Sequence, residues 1–349
     1  MSKRPAAGFF DEQRKQQRLE AMDDLLVRLN TMIQWEAFLP VLGAAFPTRD
    51  PSKGGQPPFD RVLMFKILVL KTLYDLSDEQ AEYQINDRRS FMRFLGLEIQ
   101  HQVPDSTTIW LFGDQLSKAK VMEQLFTDFH KRLSDAGLVL NTGKIIDASM
   151  VHAPVQHNTR SENEQLDQGK RPEGWSDRTW AQTDIEATWT KKNSKSYHGY
   201  KNHIKVDAAS KLIDLYQVTT ASVADCTMAA QLLDERDKGQ DLDADKGYAT
   251  KDIREMVVRE AKMNDHILHK AARNRPLTPQ EELLNKQYSK VRARVEHVFG
   301  SITKQLGGSS VRCIGLVRAT FQVGLRNLGY NMLRTVYLLS KPDAAVGSV

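Results

Sequence analysis

KVRARVEHVFGSITK, residues Lys290–Lys304, is the stretch whose reading decides the fold. On a helix, Val291, Val295, Val298 and Ile302 repeat at the spacing of one apolar face. Arg292, Glu296, Phe299 and Thr303 form a second stripe, about 100° further around the cylinder. Its lone carboxylate, Glu296, therefore lies on the edge between core and solvent, flanked by Arg292, Arg294 and His297. Two readings stand: an i,i+4 ion pair from Arg292 to Glu296 on a surface helix, or a carboxylate that joins others upstream.

The surrounding chain is long enough, at 349 residues, for two domains with a substantial core. A hydrophobic content of 40% beside a charged content of 27% excludes a disordered or membrane-embedded chain. No apolar run reaches the length of a membrane span, and the N-terminus, MSKRPAAGFFDEQRKQQRLE, lacks the apolar core of an export signal. Cys226 and Cys313 stand far apart and outside any CxxC pair, which excludes a disulfide framework or thiolate zinc site and points to a reducing cytoplasm. A net charge of +5 is only a weak pointer to nucleic acid, so its distribution matters more.

Residues 1–20 read as a mobile charged tail. Apolar residues Leu25, Leu26, Leu29, Met32 and Ile33 open the fold as one or two helices, and the Gly- and Pro-dense segment 52–60 is a loop. RVLMFKILVLKTLYDL then reads as a buried helix, and Ser77–Gln80 as a capping box starting a helix at Asp78. A short helix ends at Gly96, and Asp105 or Ser106 caps a third. Three short helices with tight connections suit a helix-turn-helix-like module, with Thr107, Thr108 and Trp110 placed to touch DNA; a plain helical bundle is the other reading. A further helix ends at Gly137.

The periodicity changes at residue 138. Lys144–Met150 reads as a buried strand carrying one carboxylate, Asp147, which needs a partner or a cation. Residues 154–196 read as an insertion or long loop. The segment 189–205 mixes Lys191, Lys192, Lys195, Lys201 and Lys205 with Tyr197, His198, Tyr200 and His203, a pattern suited to phosphate contact and base stacking, or to a solvated basic loop. A hairpin turning at Ala209–Lys211 follows. A helix over 221–239, N-capped by Asp225, leads to a short strand ending on Asp245, then a helix, a strand at 264–272 and the opening helix. Acids at the first strand (Asp147), at the end of a later strand (Asp245) and on the last helix (Glu296) can meet at one end of a mixed sheet. Oxygen donors of this kind suit Mg²⁺ or Mn²⁺, and two ions about 4 Å apart suit phosphodiester chemistry.

The motifs GGQPPFDRVLMFKILVLKTLYDLSDEQ, NDRRSFMRFLGL and VPDSTTIWLF, followed by IIDASMV, YHGYKNHIKVD, DADKGY and RARVEHVFG, cover most of the chain. In combination they resemble DDE transposases of bacterial insertion sequences, most closely the insertion-sequence family numbered five. The resemblance implies a helical DNA-binding and oligomerisation region (21–137). An RNase H-like catalytic domain (138–340) follows, with its insertion at about 154–196, and then a C-terminal tail (341–349). It implies two divalent ions held by Asp147, Asp245 and Glu296, with Arg292 matching the family's arginine. It further implies cleavage and strand transfer at transposon ends, double-stranded DNA as partner, a dimer or higher oligomer on DNA, and a nucleoid-associated, cytoplasmic location. Lys191, Lys192, Lys195, Lys201, His203 and Arg294 join Thr107, Thr108 and Trp110 as expected DNA contacts. Ser289 and Thr303 stand where the family has tyrosine and lysine, and no DNA role is carried over to the neighbouring Tyr288 and Lys304.

Overall fold

The computed structural model describes residues 24–46, 57–192 and 194–340. The expected tails, 1–20 and 341–349, and most of the expected loop at 52–60 lie outside them.

The chain begins with α1 (Leu25–Met32), a 3₁₀ turn at Trp35–Phe38 and α2 (Leu39–Ala44). Next comes α3 (Arg61–Leu73), started by the Asp60 carboxylate accepting from the Leu63 N–H. Eight of its thirteen residues are buried, as its nearly continuous apolar sequence requires. The capping box forms as expected: Ser77 and Gln80 satisfy each other's backbone donors and start α4 (Asp78–Asp87). α5 (Arg89–Leu95) stops at Gly96, whose φ of 73° is a left-handed cap. Asp105 caps α6 (Ser106–Lys118). α7 (Met122–Asp135) closes with the Gly137 N–H on the Ser134 carbonyl and the Leu138 N–H on the Leu133 carbonyl, a Schellman ending.

Six strands form one mixed sheet: β1 (Lys144–His152), β2 (Thr188–Lys192), β3 (Lys195–Asp207), β4 (Ile213–Thr220), β5 (Asp241–Ala244) and β6 (Asn264–Ile267). Their order is β2-β3-β1-β5-β6, with β4 paired to the second half of β3. β1 runs antiparallel to β3 and parallel to β5. Between β1 and β2 the expected loop contains two short capped helices, α8 (Arg160–Asp167) and α9 (Asp177–Gln182). The basic segment after it is no loop: it is the β2–β3 hairpin.

The single helix expected over 221–239 does not form. The segment breaks into a 3₁₀ turn (Asp225–Met228), one turn of helix, α10 (Ala229–Leu232), and a second 3₁₀ turn (Glu235–Asp237). The second break is held by a local capping box between Asp234 and Asp237 and by a buried cation. Lys205 Nζ lies 2.7 Å from both Asp234 and Asp237, and meeting both carboxylates draws that stretch back against β3. α11 (Lys251–Glu255) and a π turn follow before β6.

The long α12 (Pro279–Gln305) lays Val295, Val298 and Ile302 on the sheet beside Ile145, Ile204 and Val206. A last helix that the periodicity did not announce, α13 (Leu316–Leu339), returns to the N-terminal half. It packs on β4 and on α1, α3, α6 and α7. One apolar cluster consequently runs from Leu26 and Phe65 through Ile204 to Val336, across the 137/138 junction. Buried amides align the helix: Asn327 and Asn202 exchange hydrogen bonds, and Asn331 pairs both backbone groups of Ile213. At the same junction, buried Lys144 pairs with Asp214, which also accepts from His130 of α7 at 3.0 Å. No helix among the described residues is long and apolar enough to cross a membrane.

Gly324 shows how tight the α13 contact is, because a Cβ there would stand 2.2 Å from Tyr216 Oη and 2.5 Å from Met122 Cγ. Alanine gains about 1 kcal/mol of helix propensity, but overpacking costs about 1–3 kcal/mol. Gly324→Ala is expected to lower the denaturant midpoint; an unchanged or raised midpoint would contradict this packing.

Candidate active site

The strand register sets the first two carboxylates. β1 and β5 pair Lys144 with Leu242, Ile145 with Asp243 and Ile146 with Ala244. One step further along, Asp147 and Asp245 occupy equivalent places at the point where the parallel pairing ends. Directly opposed residues on parallel strands project to the same face, so both acids leave the sheet together. Asp245 is also pinned as a cap, its Oδ1 accepting the Gly247 N–H at 2.7 Å.

α12 brings the third. Its valine stripe docks on the sheet, and the adjoining stripe holds Arg292 and Glu296 against the strand ends. Arg292 Nη2 donates at 3.0 Å to Asp147 Oδ2 and at 3.0 Å to Glu296 Oε1. The i,i+4 pair read from the sequence therefore exists, and it is one arm of a bridge to β1. Burial pushes the Asp147 carboxyl up to about 6; the Ala148 N–H and Arg292 oppose that shift, while Asp245 and Glu296 add to it. Burial also works against the Arg292 charge, but Asp147 and Glu296 outweigh it and raise its pKa.

The donor chemistry suits a hard divalent cation: three carboxylates, no thiolate and no imidazole within the group. As placed, no three His, Cys, Asp or Glu side chains among the described residues close into a metal cage. The Arg292 guanidinium lies between Asp147 and Glu296 and acts as the cation of the cluster.

One neighbour, Tyr248, escaped the sequence reading, and another, Asp225, was given a different role. Tyr248, in the quoted motif DADKGY, is 1% exposed, and its hydroxyl has no hydrogen-bond partner. Burial raises its pKa, and Asp147, Asp225 and Asp245 raise it further, so a neutral hydroxyl faces three carboxylates. Asp225 was expected as an N-cap, but no side-chain cap forms there; its carboxylate pairs with Lys201 Nζ at 2.8 Å. No single-residue pattern marks either one. The signal is the spacing of an acid and a tyrosine three residues after it, which only the fold turns toward β1.

The expected DNA contacts divide. Lys191, Lys192 and Lys195 are exposed on the β2–β3 hairpin, and Lys191 and Lys192 line a cleft of about 200 Å³ with Ser149 and Asp225. Lys201 lines the same cleft but is not exposed with them, and His203 does not reach it. Lys201 is 9% exposed, held by Asp225 and the Val223 carbonyl. His203 is fully buried, with Nε2 on Thr219 Oγ1, and burial pulls its imidazole down to about 4, so it carries no charge for a phosphate. Arg294 is engaged as well, donating to the Ala208 carbonyl at 2.7 Å on the turn after β3. Thr107 and Trp110 are exposed on α6 and Thr108 is half-buried. Tyr288 stacks on His266 at 4.3 Å between ring centres.

Residues 141–332 match the family described as Transposase DDE domain, and residues 13–115 match the family described as Transposase domain (DUF772). Among solved structures, a piggyBac transposase synaptic complex with hairpin DNA is similar at 10% identity with a TM-score of 0.45. The match covers 94% of this chain and 75% of that chain.

Two outcomes follow from the burial of polar groups. Tyr248→Phe removes an unsatisfied hydroxyl and is expected to stabilise the metal-free protein by about 1 kcal/mol, read as a higher melting temperature. A lower one would mean the hydroxyl has a partner. For His203 the folded pKa lies below the unfolded value of 6.5, so the unfolded chain binds more protons between that value and about 4. Its contribution is complete above pH 6.5 and is lost as pH falls toward 4. Denaturation across that window should be less pH-dependent in His203→Gln than in the parent chain.

Proposed function

The chain belongs to the DDE transposase family, and we propose that it cuts and joins DNA at a divalent-metal centre held by Asp147, Asp245 and Glu296. The observation that carries this reading is the in-register placement of Asp147 and Asp245 where the parallel pairing of β1 and β5 ends, with Glu296 tied to Asp147 through Arg292. Bound there, a pair of Mg²⁺ or Mn²⁺ ions would activate the nucleophile and stabilise the leaving oxygen of an in-line phosphodiester displacement. Water attacks the phosphodiester at the element end and frees a 3′-OH, which then attacks a target phosphodiester.

The chain's own residues do the rest. Asp147 supplies a buried carboxylate whose charge is unfavourable without a cation, which favours ion uptake. Arg292 orients Glu296 and is placed to meet a phosphate when it leaves Asp147. Tyr248, which touches no reacting atom in this reading, is a positioning residue whose hydroxyl donates to a carboxylate oxygen of the closed site. Lys191, Lys192 and Lys195 contact the DNA backbone beside the acids, and Thr107, Thr108 and Trp110 contact the terminal inverted repeats. Pairing two element ends implies at least a dimer on DNA.

One observation favours a second reading. The Arg292 bridge pairs with Asp147 and Glu296 without metal, as a silent DNA-binding protein of transposase descent would need. Duplexes taken from both flanks of the coding sequence discriminate the two. The parent protein is expected to nick them with Mg²⁺ or Mn²⁺ and to join the 3′ ends to a second duplex. Asp147→Asn should cut more slowly by on the order of 10²- to 10³-fold or more, with end binding retained. Protection without nicking in any divalent ion would establish the silent binder, and nicking without joining a simple nuclease. Cleavage undiminished in Asp147→Asn would remove the acid from the site.

A further inference from the structure

A cavity of about 460 Å³ lies apart from the acids, and no residue of the sheet lines it. Its walls are the C-terminal half of α3, the turn at Asp75–Glu79, the middle of α6 and the first half of α13. That volume suits one small organic ligand. The floor is apolar, formed by Leu68, Ile109, Phe321 and Leu325, and Trp110 stands at the rim with 49% of its surface exposed.

The charges lining it are almost all matched. Arg312 meets Asp75 at 3.3 Å, Arg318 meets Asp114 at 2.8 Å, and Lys71 meets Asp78 at 2.5 Å. Asp114 is further neutralised by Lys118, and Glu79 lies on the exposed rim, accepting from the backbone at the start of α4. Arg326 is the exception. It lines the cavity and makes no hydrogen bond or ion pair among the described residues, and its Nη1 is buried without a partner. Burial works against its charge, Asp75 supports it from a distance, and Arg312 opposes it. A half-buried guanidinium without an acceptor is costly, and the group that best satisfies its planar fork is an oxyanion with two free oxygens.

We propose that this cavity binds a nucleotide, with its phosphate on Arg326 beside Arg312 and its base against Trp110 over the apolar floor. A small inorganic anion would satisfy the arginine and leave the floor and the indole unused; an apolar ligand would leave Arg326 without a partner. A nucleotide uses all three features: charge, an apolar bed and an aromatic face for stacking. The same chemistry is presented by a free nucleoside monophosphate and by the 5′-phosphorylated end of a DNA strand, and only the second source rests on the transposase reading.

Calorimetry on the full chain separates the possibilities, with dTMP, thymidine and inorganic phosphate as probes. A second arm uses a single-stranded oligonucleotide with and without a 5′-phosphate. dTMP should bind the parent protein more tightly than thymidine or phosphate does, and at least about tenfold more weakly in Arg326→Gln, the loss expected for a charged hydrogen bond. Trp110→Ala, at an exposed position, should weaken dTMP by a similar factor, and it decides the matter if Arg326→Gln fails to fold. Asp147→Asn should bind dTMP as the parent does, so a failed cleavage site leaves this test intact. A 5′-phosphate preference of the oligonucleotide that both variants abolish identifies the strand end as the source; a response confined to dTMP identifies a free nucleotide. No dTMP binding by the parent at millimolar concentration, or equal affinity in parent and Trp110→Ala, would overturn the proposal.

Discussion

The Arg292 guanidinium is what lets three carboxylates share one end of this sheet. Asp147 is 8% exposed and sits beside Asp245 and Glu296, so without a cation its charge is opposed by burial and by two like charges. At 3.0 Å the attraction of Arg292 to Asp147 is gross about 5 kcal/mol at an effective dielectric of ~20. That is the same order as the several kcal/mol lost when such a charge leaves water. The bridge therefore offsets burial without a large surplus. The apolar stripe Val295, Val298 and Ile302 fixes the helix, and the bridge fixes which face of its second stripe meets β1. Each depends on the other, since a helix rotated by one residue would turn Arg292 about 100° away.

Local chemistry made much of this architecture legible beforehand. The Ser77 capping box, the left-handed Gly96 and the Schellman ending at Gly137 are decided within a few residues. So is β1, whose apolar run has no helical stripe. What stayed hidden depends on distant partners. α13 carries Gly324, Asn327, Gly329 and Asn331, residues that read as breakers in isolation. Their roles come from elsewhere in the chain: the glycine admits Tyr216, and the amides bond to β3 and to the start of β4. The broken helix after β4 is similar in part, because Lys205 on β3 holds Asp234 and Asp237 together with their local capping box.

Charge pattern was a poorer guide than charge location. Lys191, Lys192, Lys195, Lys201 and His203 form one basic run in sequence, but pairing divides it: Lys195 pairs only with β2, while Lys201 and His203 lie on the part of β3 held between β1 and β4. The hairpin keeps its first three basic residues in solvent, while Lys201 and His203 are drawn into the sheet and neutralised by Asp225 or by loss of the proton. In the acid cluster the register between β1 and β5 was not readable, although both strands were. Once it is known, the neighbourhood of Asp147 and Asp245 follows from it, and so does that of the unpartnered Tyr248 hydroxyl.

In the proposed reading, the Arg292 bridge holds the place of divalent ions. Crystals of the full chain grown with Mn²⁺ and measured at the manganese absorption edge test it most directly. The account predicts anomalous peaks contacted by oxygens of Asp147, Asp245 and Glu296, with Arg292 Nη2 moved off Asp147. Saturating Mn²⁺ with no anomalous peak at these acids, and Arg292 still joined to Asp147 and Glu296, would contradict it.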